Sequence, residues 1–348
     1  MIFLSLLAPV VGTGGAFGAW VLIKSIAIAT NAFWFGRISA EAAEISDAAV
    51  GLAVVAVPVI GSLIIGLMAR FGSEKIRGHG IPEAIETILY GESRLSLKVA
   101  ILKPISAAIS IGSGGPFGAE GPIIMTGGAV GSLFAQCFHL SAAERKTLLV
   151  AGPGIWPSPD VGWIVAASAG IGIVAGLQAA LLSTFLYRVE DLFHRLPVHW
   201  MWWPAIGATV VGVGGLIDAR VLGAGYSNIQ SLIDGSMALR AAIVLLIAKA
   251  IVWLVALGSG TSGGVLAPLL ILGGATGYIL GLWLPGSQGF WAMIGMAGIL
   301  SGAMRAPLTG IIFAAELTGR FDALPALIAG SGFAYAISVL CMRRSILT

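Results

Sequence analysis

The chain has 348 residues, 57% of them hydrophobic and 10% charged, and its 19 Lys+Arg against 16 Asp+Glu give a formal net charge of +3. A soluble domain carries about 25% charged residues, so a water-surrounded globule is excluded, and with so small a net charge nothing points to nucleic acid as a partner. A mean hydropathy of +0.98 indicates an all-α polytopic membrane protein whose helices satisfy their own backbone in lipid.

Apolar tracts recur along the chain, at residues 1–35, 50–69, 99–111, 164–187, 241–257, 290–304 and 324–342. Several reach the roughly 20 residues that cross a bilayer as a helix; the shorter ones suit half-helices that meet inside the membrane. The first tract lacks a basic start and outruns the usual signal-peptide core of about 7–15 residues, so it reads as a retained helix. Basic residues cluster in the polar breaks, among them Arg70, Lys75, Arg77, Arg145 and Lys146, which suits lipid head groups and a positive-inside orientation. Cys137 and Cys341 make no disulfide framework and read as packed core thiols.

Residues 112–131 read GSGGPFGAEGPIIMTGGAVG, and residues 258–277 read GSGTSGGVLAPLLILGGATG. The offset is 146 throughout, without a gap, and 9 of the 20 columns are identical. Gly78-His79-Gly80 precedes Gly223-Ala224-Gly225 by 145 residues, and Leu148 to Gly152 pairs with Ile294 to Gly298 at 146. Such self-similarity predicts one transmembrane domain over 1–348 built from two halves, about 1–160 and 161–348. The correspondence stops after Gly152. The second half continues through residues 299–319, whereas the first offers Pro153, Pro157 and Pro159, which do not make a membrane helix. The first half is therefore expected to lack its closing helices.

Each glycine segment leads through a proline, Pro122 or Pro268, into an apolar helix. Proline suits a first helical turn, where no amide hydrogen is needed. A helix N-terminus carries unsatisfied donors and partial positive charge, which together favour an anion. In transporters built from repeats, broken helices of this kind meet near the bilayer midplane. Glu120 falls in the first copy, where the second has Leu266. An intramembrane carboxylate is costly and functional by default. Ionised, it would sit on the helix-end donors as a tethered anion; protonated, it would leave and admit a free one. Glu316 reads as a helix-packing acid with no role in catalysis.

These residues resemble the CLC family of chloride channels and anion/proton antiporters. Gly78-His79-Gly80-Ile81-Pro82 resembles the motif G-S-G-I-P, Gly118-Ala119-Glu120-Gly121-Pro122 resembles G-R-E-G-P, and Gly264-Val265-Leu266-Ala267-Pro268 resembles G-x-F-x-P. Residues 305–318, RAPLTGIIFAAELT, resemble the family's late helix. The resemblance implies a CLC-like inverted repeat of tilted and broken helices, forming a homodimer in the plasma (inner) membrane with one pore per subunit. Glu120 would be the gate, and His79, Gly80, Ile81, Ala119, Gly121, Val265 and Leu266 would surround the anion. His79 stands in place of a serine, where a neutral imidazole would donate one hydrogen bond. Ala119 replaces an arginine and Leu266 a phenylalanine. No tyrosine follows Tyr335, so the family's inner tyrosine gate is expected to be open or absent, and no soluble regulatory domain is expected after Thr348.

The implied function is voltage-independent or proton-coupled transport of chloride or a similar small anion, with channel and antiporter left open. The chain is not expected to be an enzyme, and needs no metal and no cofactor beyond a bound chloride ion. Two alternatives stand beside this reading. One is an inactive structural homologue. The other is an intramembrane serine protease, because Gly260-Thr261-Ser262-Gly263 matches G-x-S-G. That nucleophile would need a base, and the position matching Ser262 in the first copy is Pro116.

Overall fold

A computed structural model describes residues 2–48, 51–78, 97–119, 122 and 161–342. The described helices are α1 (Ile2–Phe35), α2 (Ala53–Phe71), α3 (Leu97–Gly112), α4 (Val161–His194), α5 (Trp203–Ile217) and α6 (Tyr226–Ile233), followed by α7 (Leu239–Gly258), α8 (Leu266–Leu280), α9 (Gln288–Met304), α10 (Pro307–Thr318) and α11 (Leu324–Cys341). Among the described residues no strand forms; the one β-type contact is an isolated antiparallel bridge between Gly118 and Gly264. Seven of the described helices are long and apolar enough to cross a membrane. The chain is an integral, all-helical membrane protein.

Helices α1 and α4 are 34 residues each. At about 1.5 Å per residue they exceed the roughly 30 Å hydrocarbon core, so each tilts or emerges among the head groups. The other matched elements follow the sequence register. Helices α2 and α5 end at Phe71 and Ile217, and α3 and α7 end at Gly112 and Gly258, both pairs 146 apart. Short 3-10 turns at Glu74–Ile76 and Ala219–Val221 precede the two G-x-G loops. Helix α1 packs on α3 as α4 packs on α7, and α2 packs on α5 across the two halves.

The helices turn large apolar side chains outward and small ones inward. On α4, Ile173, Leu177, Leu181 and Phe185 are exposed at four-residue intervals, while Ala175, Ala179 and Ser183 are buried. That is the pattern of a helix with one face to lipid and one to neighbouring helices, where small residues admit close backbones. Helix α8 is buried nearly all round and forms the centre. It meets α9 glycine to glycine: a methyl built on Gly295 would lie 2.2 Å from the Gly273 carbonyl oxygen.

Two sequence expectations fail on these apolar helices. Cys341 is exposed in the last turn of α11, beside Leu340 at 81% exposure, so it faces outward and is not a packed thiol. Glu316 is exposed, because the packed face of α10 is Gly310, Ile311, Ala314 and Ala315. Residues 151–160, where the first half is expected to be shortened, lie outside the described residues, as does Cys137.

Gly295→Ala is expected to lower the thermal midpoint of the detergent-solubilised protein, because overpacking costs about 1–3 kcal/mol. Gly170→Ala, where a methyl meets nothing within 4 Å, is expected to leave it unchanged or raise it. Equal midpoints for the two variants would contradict the packing described for α8 and α9.

Candidate functional site

The site is built where the two glycine segments cross. Helices α3 and α7 both stop at the same column, Gly112 and Gly258. Two residues on, Gly114 (φ +100°) and Gly260 (φ +77°) take left-handed conformations that a side chain would strain. The chains then straighten and meet. The Gly118 N–H donates to the Gly264 carbonyl, and the Gly264 N–H donates to the Gly118 carbonyl, both at 3.0 Å. These are equivalent positions of the two copies, so the reciprocal pair has the symmetry of a two-fold axis between them. One column upstream the copies differ: Phe117 is fully buried, and a methyl on its counterpart Gly263 would lie 2.1 Å from the ring. The aromatic ring of one copy fills the space left by glycine in the other.

Helix α8 begins directly after the bridge. Val265 is its N-cap and makes no side-chain cap hydrogen bond. Val265, Leu266 and Ala267 are buried, and their amides have no backbone acceptor among the described residues. Pro268 follows and has no amide hydrogen. A buried helix end with several orphan donors carries local positive potential. In the first copy, Ala119 is buried next to the bridge and its N–H donates to Tyr226 Oη at 3.2 Å, while Pro122 is helical like Pro268. The structure thus brings Ala119, Val265 and Leu266 to one crossing point. His79, Gly80, Ile81, Glu120 and Gly121 lie outside the described residues.

Sequence reasoning missed two lysines. Lys103 on α3 and Lys249 on α7 are 1% and 0% exposed. Lys103 Nζ donates to the carbonyls of Ile76, Arg77 and Gly78 at 2.8, 2.9 and 2.8 Å. Lys249 Nζ donates to those of Val221 and Gly223 at 2.8 and 2.7 Å. Each lysine therefore ties down the turn that leads into its own half's G-x-G loop. The signal was present: 103 and 249 are 146 apart, in the register of the glycine segments. None of the described ion pairs involves Lys249; those pairs are Arg220–Asp218 and Arg320–Asp322, both at 2.8 Å. The first of them raises the Arg220 guanidinium above its ordinary value through its hydrogen bond to Asp218, against a smaller opposing effect of burial.

Arg77 adds a further cation beside the second copy. Its guanidinium lies 4.6 Å from the Trp200 ring centroid and 5.8 Å from that of Trp203, and Nη2 reaches the Cα of left-handed Gly260 so closely that a methyl there would be 2.8 Å away. Burial lowers its pKa, which Glu74 partly opposes. A cavity of about 470 Å³ reaches Ala119 from between α1 and the 219–228 turn, lined by Ile26, Thr30, Glu44, Ile111 and Tyr226.

Ser262 has no catalytic surroundings among the described residues. It is fully buried and accepts a hydrogen bond from Ser106 Oγ at 3.2 Å. His194 packs edge-on against Trp203, and His199 caps the 3-10 turn at Trp200–Trp202 and contacts Arg70.

A duplicated, broken-helix crossing inside an all-helical membrane domain, with helix-end amides that have no backbone acceptor among the described residues, defines the class as a repeat-built membrane transport protein. Comparison with known proteins agrees. The sequence profile of the voltage gated chloride channel family matches residues 60–154 and 161–339, which is most of the chain, and the chain belongs to this CLC family. The match is interrupted after 154, close to where the internal repeat ends. The chain is similar to the voltage-gated ClC-type chloride channel ClcB of Shigella flexneri, 26% identical over 355 aligned residues covering 83% of this chain and 84% of that one. Its fold is that of a slow cyanobacterial Cl-/H+ antiporter (TM-score 0.77, 18% identity, 98% of this chain and 95% of that one). It is also that of a CLC-type fluoride/proton antiporter (TM-score 0.76, 16% identity, 97% and 95%). CLC family proteins are channels and transporters, so the protease alternative falls away.

Lys249→Met is expected to lower the thermal midpoint, because two buried carbonyls lose their donor at about 1–3 kcal/mol. Removing one partner of a buried hydrogen bond leaves the other unsatisfied, and here the Val221 and Gly223 carbonyls both are. An unchanged midpoint in a melting experiment would contradict the staple.

Proposed function

We propose that this chain carries chloride, or a similar small monovalent anion, across the membrane through the crossing of its two glycine segments, with Glu120 as the gate. The observation that supports this most is the buried N-terminus of α8, whose first amides have no acceptor among the described residues, beside the Gly118–Gly264 bridge. Orphan amides in a low-dielectric interior need an acceptor, and a dehydrated halide supplies charge without requiring a fixed geometry. No lysine or arginine lies in either glycine segment, so the anion is held by dipoles it can leave. The relatives named as chloride channels support chloride as the first anion to test. His79, Gly80, Ile81, Ala119, Gly121, Val265 and Leu266 form the surround, and the bound anion is the only ligand the site requires.

Glu120 is two residues before Pro122, in the position equivalent to Leu266 at the start of α8. As a carboxylate it competes with the free anion for the same donors, and protonation removes the competition. Flux therefore rises as pH falls. A homodimer with one pathway per subunit, residing in the plasma membrane, completes the reading.

Purified protein in chloride-loaded vesicles tests it. The expected result is anion efflux above that of empty vesicles, increasing from neutral to acidic pH, with Glu120→Gln flattening the pH dependence. Absence of flux would favour an inactive structural homologue. Flux with the same pH profile in Glu120→Gln would remove Glu120 as the gate. Recording protons in parallel under a chloride gradient separates the two modes: uphill proton movement means exchange, and anion flux alone means a channel.

A further inference from the structure

We propose that the Tyr226 hydroxyl is a built-in competitor of the transported anion, holding the Ala119 amide until an anion displaces it; this rests on the anion reading above. Tyr226 belongs to the second half and occupies the column of Ile81, 145 residues upstream in the first. Its oxygen accepts the Ala119 N–H at 3.2 Å across 107 residues of sequence. The acceptor of that amide is therefore supplied by the opposite half, on the residue preceding Glu120.

The backbone leading to the phenol is well held. Gly225, with φ +71°, caps α6 in a left-handed conformation. Just before it, Val221 and Gly223 are held by Lys249, and Asn228 Nδ2 donates to the Arg220 carbonyl at 2.9 Å. A methyl on Gly225 would lie 2.8 Å from Ile271 and 3.7 Å from Lys249 Nζ. The backbone that carries Tyr226 therefore follows a turn secured by the same lysine. Tyr226 is also 50% exposed and, with Ala119, lines the 470 Å³ cavity. An ion entering that cavity reaches the amide and its present acceptor together.

The chemistry favours exchange of acceptors. A phenol oxygen is neutral and accepts one N–H, so it satisfies the amide while no ion is there. Charge-assisted hydrogen bonds are about twice as strong as neutral ones, so an anion wins the amide. The hydroxyl nevertheless subtracts from net affinity, because its own bond must be broken first. Tyr226 acts here as a specificity and affinity determinant and takes no covalent part.

The test is Tyr226→Phe, which keeps the ring and deletes the acceptor, with Tyr335→Phe on α11 as a control. Chloride affinity is read by isothermal titration calorimetry in detergent, and the apparent KM and maximal flux are read in vesicles. The expected result is chloride binding about two- to tenfold tighter in Tyr226→Phe, the range a neutral hydrogen bond supplies. Apparent KM falls in parallel, and Tyr335→Phe matches the wild type. Tyr226→Leu, a second variant without the acceptor, is expected to shift affinity in the same direction should Tyr226→Phe fold poorly. Unchanged or weaker binding in folded variants would overturn the proposal while leaving the anion reading intact. A wild-type protein that neither binds nor moves chloride would overturn both.

Discussion

Two backbone hydrogen bonds, between Gly118 and Gly264 in both directions, set the geometry on which everything else at the centre depends. They bring two main chains into contact in the core of a membrane protein, where backbone may leave helical form only if it is paired or lines a polar site. The contact needs glycine in its surroundings, since the buried Phe117 ring occupies the place where a side chain on Gly263 would be. Once the crossing is fixed, the helix after it must start inside the protein. Its first amides are then buried with nothing of the described chain to bond to. The proposed anion site would follow from the way the duplicated segments are tied together.

The two halves are not equal. One contributes a phenylalanine where the other has glycine, a glutamate where the other has leucine, and an isoleucine where the other has Tyr226. The lysines are the opposite case, Lys103 and Lys249 doing the same work in both halves. The shared residues hold the frame. Its lysine Nζ donors bond to carbonyls and lie outside both glycine segments.

Much of this was legible in the sequence. The tract at 241–257 lies within α7 and that at 324–342 matches α11 to one residue, and the alignment column that paired Gly118 with Gly264 became a physical contact. The lysine staples were not legible, because their acceptors are carbonyls 25–28 residues upstream, and a carbonyl has no side-chain signature. The Tyr226–Ala119 bond spans 107 residues and follows no local period. The errors at Cys341 and Glu316 share one cause. In a helix apolar on all sides, core-facing and lipid-facing positions carry the same residue types, so periodicity does not tell them apart. The glutamate and the first G-x-G loop stand on sequence and family membership.

The most direct measurement is a crystal structure of the protein grown in bromide, with data collected at the bromine absorption edge. The expected result is an anomalous peak in hydrogen-bonding contact with the amides of Val265 and Leu266, beside the Gly118–Gly264 bridge. An empty crossing, with those amides capped by a side chain and the bromide bound elsewhere, would contradict it.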